Sequence, residues 1–256
     1  MMRNGLVRKI GGYLFAIAFI LAGWQLTAVA VGNPVLPGPF EAIPMVGTYF
    51  SDLWPALLVS LYRVVAAMTI GTVLAIPLGL ICGRSPRIDA VFAPVLYFLY
   101  PLPKVVLLPV LVVLMGLADA PKIVLIALTV FFQVLVTVRD AAQSVPEESV
   151  MSMRSLGSGR WDIYRHVIVP ATLPELFTAL RISSGTAVAI LFFAESLAGS
   201  TGLGYFIVDA WALLAYPKMF AGIIAMAFLG VVLYELFDLA ERRLTRWKAR
   251  GARSGL

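Results

Sequence analysis

Two ionisable residues, Lys104 and Glu195, stand inside long apolar runs of the sequence. A charged residue at the centre of a membrane helix costs about 2.5–3.5 kcal/mol, so each one needs a partner or a function. Lys104 follows Pro101 and Pro103, and a proline-broken helix at membrane depth is tolerated where it lines a cavity. Lys104 would therefore attract an anion in a transport pathway. The alternatives are a structural pairing with Glu195 and a lysine that snorkels outward.

Glu195 is a candidate for gating or for structural pairing, because an unpaired carboxylate would repel an anion. It lies fourteen residues beyond Arg181, about 21 Å at helical rise, so the two residues cannot share a membrane face. Arg181 is expected to contact lipid headgroups or to brace the polar segment before it. Arg63 is either an interfacial anchor or an ion-pair partner. Three uncharged polar residues, which more often join helices than bind ligands, complete the candidate pathway or gate: Tyr97, Tyr100 and Gln133.

Catalysis and metal binding are not indicated. The chain has one histidine, His166, and one cysteine, Cys82, so it can form neither an internal disulfide nor a cysteine–histidine metal cluster. No nucleophile or carboxylate constellation accompanies His166, which argues against general-base chemistry. The sequence contains no GxxxxGK[ST] phosphate-binding loop, so the chain is predicted not to hydrolyse ATP by itself.

The composition is that of a membrane protein. The chain is 61% hydrophobic and 13% charged, with a mean hydropathy of +0.93, whereas a soluble domain is roughly a quarter charged. So much apolar surface cannot be hidden from water by 256 residues, which makes the bilayer part of the solvent. The net charge of +6 does not indicate nucleic acid binding, because the basic residues lie between apolar runs and at the C-terminus.

Six apolar runs are predicted to cross the roughly 30 Å hydrocarbon core as helices. The two termini, the Arg84–Arg87 turn and the Arg139–His166 segment hold fifteen basic residues, and the opposite connections hold only Lys122 and Lys218. This asymmetry predicts that both termini are cytoplasmic. The first run is longer than a signal-peptide core, which favours its retention as a helix. The predicted spans are Gly11–Val31, Leu58–Gly83, Ala90–Gly116, Ile123–Val138, Leu176–Ala198 and Met219–Leu239.

A polar segment at residues 144–174 separates the fourth and fifth predicted spans. Its first part is compatible with a helix that Gly157 and Gly159 interrupt, and a second helical piece is predicted to end at Pro170 and Pro174. A long structured loop between bundled helices usually has a function. The alternative is a loop in the headgroup layer anchored by its aromatic residues.

The segment resembles the cytoplasmic signature of type I permease subunits of binding-protein-dependent ABC importers. The resemblance rests on Met151-Ser-Met-Arg-Ser-Leu-Gly157, followed after nine residues by Val167-Ile-Val-Pro170. The Glu-Ala-Ala triplet that begins the family signature is replaced here by Met151, Ser152 and Met153. In the family this segment forms a coupling helix that sits in a groove of the ATPase. The residues that the resemblance assigns to coupling are Met151, Ser152, Met153, Arg154, Leu156, Gly157, Arg160, Trp161, Val167 and Pro170.

Four further segments are similar to nitrate, sulfonate, taurine and bicarbonate permeases, and also to permeases for riboflavin and thiamine precursors. These segments are LPGPFEAI, SLYRVVAA, YPLPKVVLLPVLVVLMG and FFAESLAGSTGLGYFI. The resemblance implies an all-α membrane protein with the type I ABC permease fold. Residues 1–32 would form an N-terminal region with the first helix, and residues 33–256 the permease domain.

The resemblance also implies partners and a location. These are a second copy of the chain, two ATPase subunits that carry ATP and Mg²⁺, and an extracytoplasmic binding protein, at a bacterial inner membrane. A small oxyanion is the expected solute, and a vitamin precursor is the alternative. A secondary transporter driven by an ion gradient would show inverted repeats and midplane carboxylates; no repeat is evident, and Glu195 is the one strong carboxylate candidate.

Overall fold

The apolar runs of the sequence form long helices, because a backbone in an apolar solvent must bond its polar groups within its own segment. The computed structural model describes residues 2–33 and 35–245 and, in the first helix, the side chains from Phe15 onward. The helices are α1 (Met2–Val31), α2 (Pro39–Thr48), α3 (Phe50–Arg84), α4 (Pro86–Leu99), α5 (Leu108–Met115), α6 (Asp119–Gln143), α7 (Glu147–Ser155), α8 (Arg160–Ile163), α9 (Val169–Ala198), α10 (Leu203–Ala212) and α11 (Tyr216–Leu244).

Four helical segments of the described residues are long and apolar enough to cross a membrane: Phe50–Arg84, Asp119–Gln143, Arg160–Ala198 and Tyr216–Leu244. They contain the second, fourth, fifth and sixth predicted spans. The first predicted span lies within α1, whose described apolar part, Phe15–Val31, is shorter than these four. The count of six crossings therefore stays a prediction.

The third predicted span, Ala90–Gly116, is two helices rather than one. Its halves, Pro86–Leu99 and Lys104–Met115, meet at an angle of 82°. The second half begins with a 3₁₀ turn at Lys104–Leu107. Pro101 and Pro103 cause the break, since proline donates no backbone hydrogen bond and disfavours the helical conformation of the residue before it.

The helix that contains the fifth predicted span begins earlier than expected, because Pro170 and Pro174 do not end the helical piece before it. Residues Arg160–Ala198 form one helical rod of 39 residues. A π-helical turn at Tyr164–Ile168 precedes Pro170, and the Val169 N–H donates to the carbonyl of Tyr164, five residues back. This wider turn admits a residue that has no N–H of its own, so the rod continues where a regular α-helix would break.

Close packing of α3 against α6 forms the centre of the bundle. A Cβ at Gly79 would lie 3.0 Å from the carbonyl oxygen of Leu135, and one at Gly71 would lie 3.1 Å from the backbone nitrogen of Phe131. These two glycines therefore permit close contact between the helices. Gly185 of α9 has no such role, because open space surrounds its Cβ position.

Candidate functional site

The predicted coupling segment begins with a short helix, α7, that ends in a Schellman motif. The N–H of Gly157 donates to the carbonyl of Arg154 at 2.9 Å, and the N–H of Ser158 donates to the carbonyl of Met153 at 3.1 Å. Gly157 has φ of +79°, a left-handed conformation that strains residues with a Cβ. A glycine at this position therefore fixes the direction in which the chain leaves α7.

The far side of the segment is exposed. Met151, Leu156 and Trp161 have exposed fractions of 58%, 81% and 74%, and Ser152 and Gly157 are also exposed. Arg154 and Arg160 are exposed too, but they line a cavity between this segment and the adjoining ends of α3 and α4. Buried Val150 and Ile163 fasten the segment to the bundle. An apolar surface of this kind suits contact with another protein.

Three of the predicted coupling residues do not belong to this exposed surface. Met153 of α7 is half-buried and packs against the core of the bundle. Val167 lies in the π-helical turn and Pro170 in the first turn of α9, and both are half-buried. They connect the exposed segment to the rod. At about 1.5 Å per residue, the 39 residues of the rod span about 58 Å. The rod therefore reaches from the exposed segment to the opposite end of the bundle, where Glu195 lies.

A buried charge cluster joins α3, α6 and α9 at that opposite end. Arg63 directs all five of its N–H donors to protein acceptors. Its Nε and Nη2 donate to Asp119 Oδ1 at 2.8 and 2.5 Å, and its Nη1 donates to Glu195 Oε1 at 2.7 Å. The carbonyl oxygen and the hydroxyl of Thr201 each accept one further bond at 2.8 Å. Arg63 is thus an ion-pair partner and not an interfacial anchor.

Glu195 is fully buried, and both of its carboxylate oxygens accept hydrogen bonds. The Gly204 N–H donates to Oε2 at 2.9 Å, and the Ser60 hydroxyl lies 2.9 and 2.8 Å from the two oxygens. A Cβ at Gly202, where φ is +99°, would overlap this carboxylate. The cluster therefore holds the turn between α9 and α10 against α3.

The sequence reasoning missed Ser60, Asp119 and Thr201. Ser60 lies far from Glu195 in the chain, and Asp119 lies far from Arg63, whereas Thr201 is close to Glu195. Asp119 also stands at the first position of α6, where an acidic residue has an ordinary helix-terminus explanation. Lys122, one turn later, is buried and donates to the carbonyls of Leu117 and Ala118 at 3.0 and 2.9 Å. No pattern in the sequence pairs these residues.

Lys104 does not pair with Glu195, so that alternative is wrong. Its Nζ donates to the carbonyl of Tyr100 and lies 5.3 Å and 5.1 Å from the ring centroids of Tyr100 and Phe132. Pro101 and Pro103 form the break just before it. Lys104 and Tyr100 are thus brought together at the bend between α4 and α5.

The hydrogen bonds of Tyr97 and Gln133 involve neither Lys104 nor Tyr100. The hydroxyl of Tyr97 accepts a bond from Arg139 at 3.4 Å, and Arg139 is also paired with Asp89. Gln133 donates to the hydroxyl of Thr186 at 3.4 Å, which links α6 to α9. Both contacts are of the kind that joins helices.

Arg181 does not brace the coupling segment. It pairs with Asp238 and Glu241 of α11 at 3.0 and 3.2 Å, which fastens the rod to the last helix. His166 Nδ1 lies 3.0 Å from the carbonyl of Asp162, one turn back. Within the described part of the chain, no group of three histidine, cysteine, aspartate or glutamate side chains could hold a metal ion.

Comparison with known proteins identifies related chains. The family model described as "Binding-protein-dependent transport system inner membrane component" matches residues 75–246. A probable ABC transporter permease protein of Brucella abortus is 31% identical over 249 residues, covering 96% of this chain and 99% of that protein. The taurine transport system permease protein TauC of Escherichia coli is 31% identical over 232 residues, covering 88% of this chain and 84% of that protein.

A solved structure has the same fold. It is the crystal structure of a bacterial ABC transporter involved in the import of the acidic polysaccharide alginate. The TM-score is 0.65 at 16% sequence identity, and the match covers 95% of this chain and 96% of that one. At this identity the likeness concerns the fold alone.

Proposed function

Because the chain belongs to the family of binding-protein-dependent transport system inner membrane components, we propose that it forms the path of a small solute through the membrane, as one permease subunit of an ATP-driven importer. The observation that carries the proposal is the rod Arg160–Ala198. It connects an exposed, glycine-terminated helix at one end of the bundle to a buried ion cluster at the other.

The rod supplies a mechanism for energy coupling. A displacement of α7 by an ATPase subunit would pass through the rod as a rigid-body motion, because a continuous helix resists bending. At the other end, the motion would act on Glu195 and on the turn that Glu195 holds closed. In this scheme the ATPase binds ATP and Mg²⁺, and this chain supplies the solute pathway and the rod that transmits the motion.

The orientation and assembly follow from the same scheme. The end that carries α7 and the two chain termini would face the cytoplasm, as the distribution of basic residues favours. The cluster around Arg63 would face outward, where a binding protein delivers solute. Two copies of this chain with two ATPases would complete the transporter in a bacterial inner membrane. The exposed apolar faces of α4 and α5, including Phe98 and Val113, suit contact with lipid or with the second copy.

A small oxyanion is the solute that the pathway residues favour. Lys104 is a cation at the bend between α4 and α5, and the acidic residues of the buried cluster already have partners. A relative named for taurine, a sulfonate, supports the same class. Calorimetric titration of the cognate binding protein with sulfonates, nitrate and bicarbonate would identify the solute, and exclusive binding of a vitamin precursor would reject the oxyanion.

A matched pair of surface substitutions tests the coupling assignment. Leu156→Glu places a charge on the exposed end of α7, and Leu213→Glu places one on an equally apolar position, 69% exposed, in the turn between α10 and α11. We expect the ATPase to co-purify with the Leu213 variant and to be lost from the Leu156 variant. Equal co-purification with both variants would remove the coupling role from α7.

Reconstitution separates the importer from an ion-driven transporter. In proteoliposomes that contain the chain, its ATPase and its binding protein, uptake is expected to require ATP and to survive collapse of ion gradients. Uptake that needs an ion gradient and no ATP would establish the secondary transporter instead.

A further inference from the structure

A basic cavity lies at the end of the bundle that carries α7. Its volume is about 580 Å³, and its walls come from the end of α3, the start of α4, α7 and the beginning of the rod. No described residue in its lining is acidic. Four arginines contribute to the wall: Arg84, Arg87, Arg154 and Arg160. A cavity with this composition attracts anions.

The arginines are only partly neutralised. Glu147 pairs with Arg84 at 2.8 Å and lies 4.0 Å from Arg154, so one carboxylate serves two guanidinium groups. Arg87 and Arg160 are exposed and form no ion pair within residues 2–33 and 35–245. These two guanidinium groups are available for a ligand, and arginine binds phosphate oxygens in a bidentate manner.

The first turn of α4 adds to the same electrostatic field. This helix of 14 residues begins at Pro86, and its N-cap residue, Ser85, makes no side-chain capping bond. The first N–H groups of a helix have no intrahelical acceptor and favour a negative charge. Ser85, Pro86 and Arg87 all line the cavity. Asp89 also lies in this first turn, but Arg139 of α6 neutralises it, so the helix terminus still supports the anion preference that the arginines establish.

The rest of the cavity wall is apolar. Val150, Ile163 and Ile168 are buried at its base, and Ile81 and Ile88 lie in its wall with 42% and 37% of their surfaces exposed. A free inorganic anion would satisfy the arginines and leave these isoleucines against water. A ligand that carries both a phosphate and hydrocarbon would cover both parts of the wall.

We propose that this cavity binds the headgroup of an anionic phospholipid, with its phosphate on Arg87 and Arg160 and its acyl chains along Ile81 and Ile88. The location fits, because Arg84 directly follows the apolar run Leu58–Gly83 of a helix long enough to cross a membrane, and the first basic residues after such a run lie near the lipid headgroups. A basic residue at an anionic membrane surface contributes roughly a fivefold gain in affinity. Two such residues together contribute roughly 30-fold.

Native mass spectrometry of the full chain in detergent tests the proposal. The protein is titrated with phosphatidylglycerol and with phosphatidylcholine of the same acyl chains. We expect phosphatidylglycerol to bind roughly 30-fold tighter, and Arg87→Gln/Arg160→Gln to reduce its affinity by the same factor. Arg87→Lys/Arg160→Lys retains the charge and is expected to recover most of that loss. Arg165→Gln is the control, since this exposed residue of the same segment does not line the cavity.

Three results would overturn the lipid assignment. Equal affinities for the two lipids would show that the cavity does not prefer an anionic headgroup. An equal loss in the Arg165 variant would show that only general surface charge matters. Displacement of phosphatidylglycerol by millimolar inorganic phosphate would assign the site to a soluble phosphate. Circular dichroism of each variant confirms that the loss is not one of folding, and no step of the test depends on transport.

Discussion

Replacement of Glu195 by glutamine tests whether the buried charge cluster stabilises the outer end of the bundle. The carboxylate accepts from Arg63 and Ser60 on one side and from the Gly204 N–H on the other. An amide has one oxygen and one NH₂ group, so Glu195→Gln must direct its NH₂ at a donor whichever way it is turned. The substitution also removes the negative charge that faces Arg63.

The expected loss of stability is about 3 kcal/mol. Removal of one partner from a buried ion pair costs about 3–5 kcal/mol. The lower end applies here because Arg63 keeps its bonds to Asp119 and Thr201, and Asp119 is 46% exposed at its side chain. A loss of this size changes the unfolding equilibrium by more than a hundredfold.

The assay is unfolding in mixed detergent micelles, followed by circular dichroism, with Asp52→Asn as the control. Asp52 pairs with Lys218 at 3.8 Å, and its side chain is 57% exposed, so its replacement should cost less than about 1 kcal/mol. Arg63→Gln combined with Glu195→Gln should cost less than the sum of the two single losses, because neither partner is then left charged opposite an amide. A loss in Glu195→Gln no greater than that in Asp52→Asn would refute the reasoning.

Three further substitutions test other parts of the molecule. Gly157→Ala should lower stability by about 1–2 kcal/mol and reduce solute-stimulated ATP hydrolysis of the assembled transporter, whereas Gly159→Ala, at φ of −72°, should leave ATP hydrolysis unchanged; equal effects would contradict the assigned turn. Gly79→Ala should destabilise by about 1–3 kcal/mol in the same micelle assay, and Gly185→Ala should change stability by less than about 0.5 kcal/mol, since only the first position is crowded. Lys104→Gln should raise the KM of anion uptake about tenfold through loss of a charged hydrogen-bond donor, and an unchanged KM would remove Lys104 from the pathway.

The long helices could be predicted because each depends on its own residues. The backbone of an apolar segment forms its hydrogen bonds within that segment wherever it lies in the bilayer. The regions of α3, α6, α9 and α11 can therefore be identified from the sequence without knowledge of the neighbouring helices. The turn at Gly157 can be identified from the sequence for the same reason, since its left-handed φ and its hydrogen bonds involve only six consecutive residues.

The positions of the prolines predicted the helix ends in one region and not in another. Pro101 and Pro103 do break the helix, but Pro170 and Pro174 lie within a continuous rod. The difference is the π-helical turn at Tyr164–Ile168, which provides the extra room that Pro170 requires. Proline removes one hydrogen bond in each case, and the surrounding structure decides whether the chain bends or adapts.

The partners of the charged residues were decided by the tertiary structure alone. Arg63 lies 132 residues from Glu195 and 56 residues from Asp119 in the chain. The sequence by itself determined that each charge in an apolar run must be compensated, since an unpaired charge is costly there. It left the choice of partner open, and Lys104 was as plausible a partner for Glu195 as Arg63. Only the packing of α3, α6 and α9 against one another brings Arg63, Asp119 and Glu195 within hydrogen-bond distance, because ion pairing acts over a few ångströms in space and not along the chain.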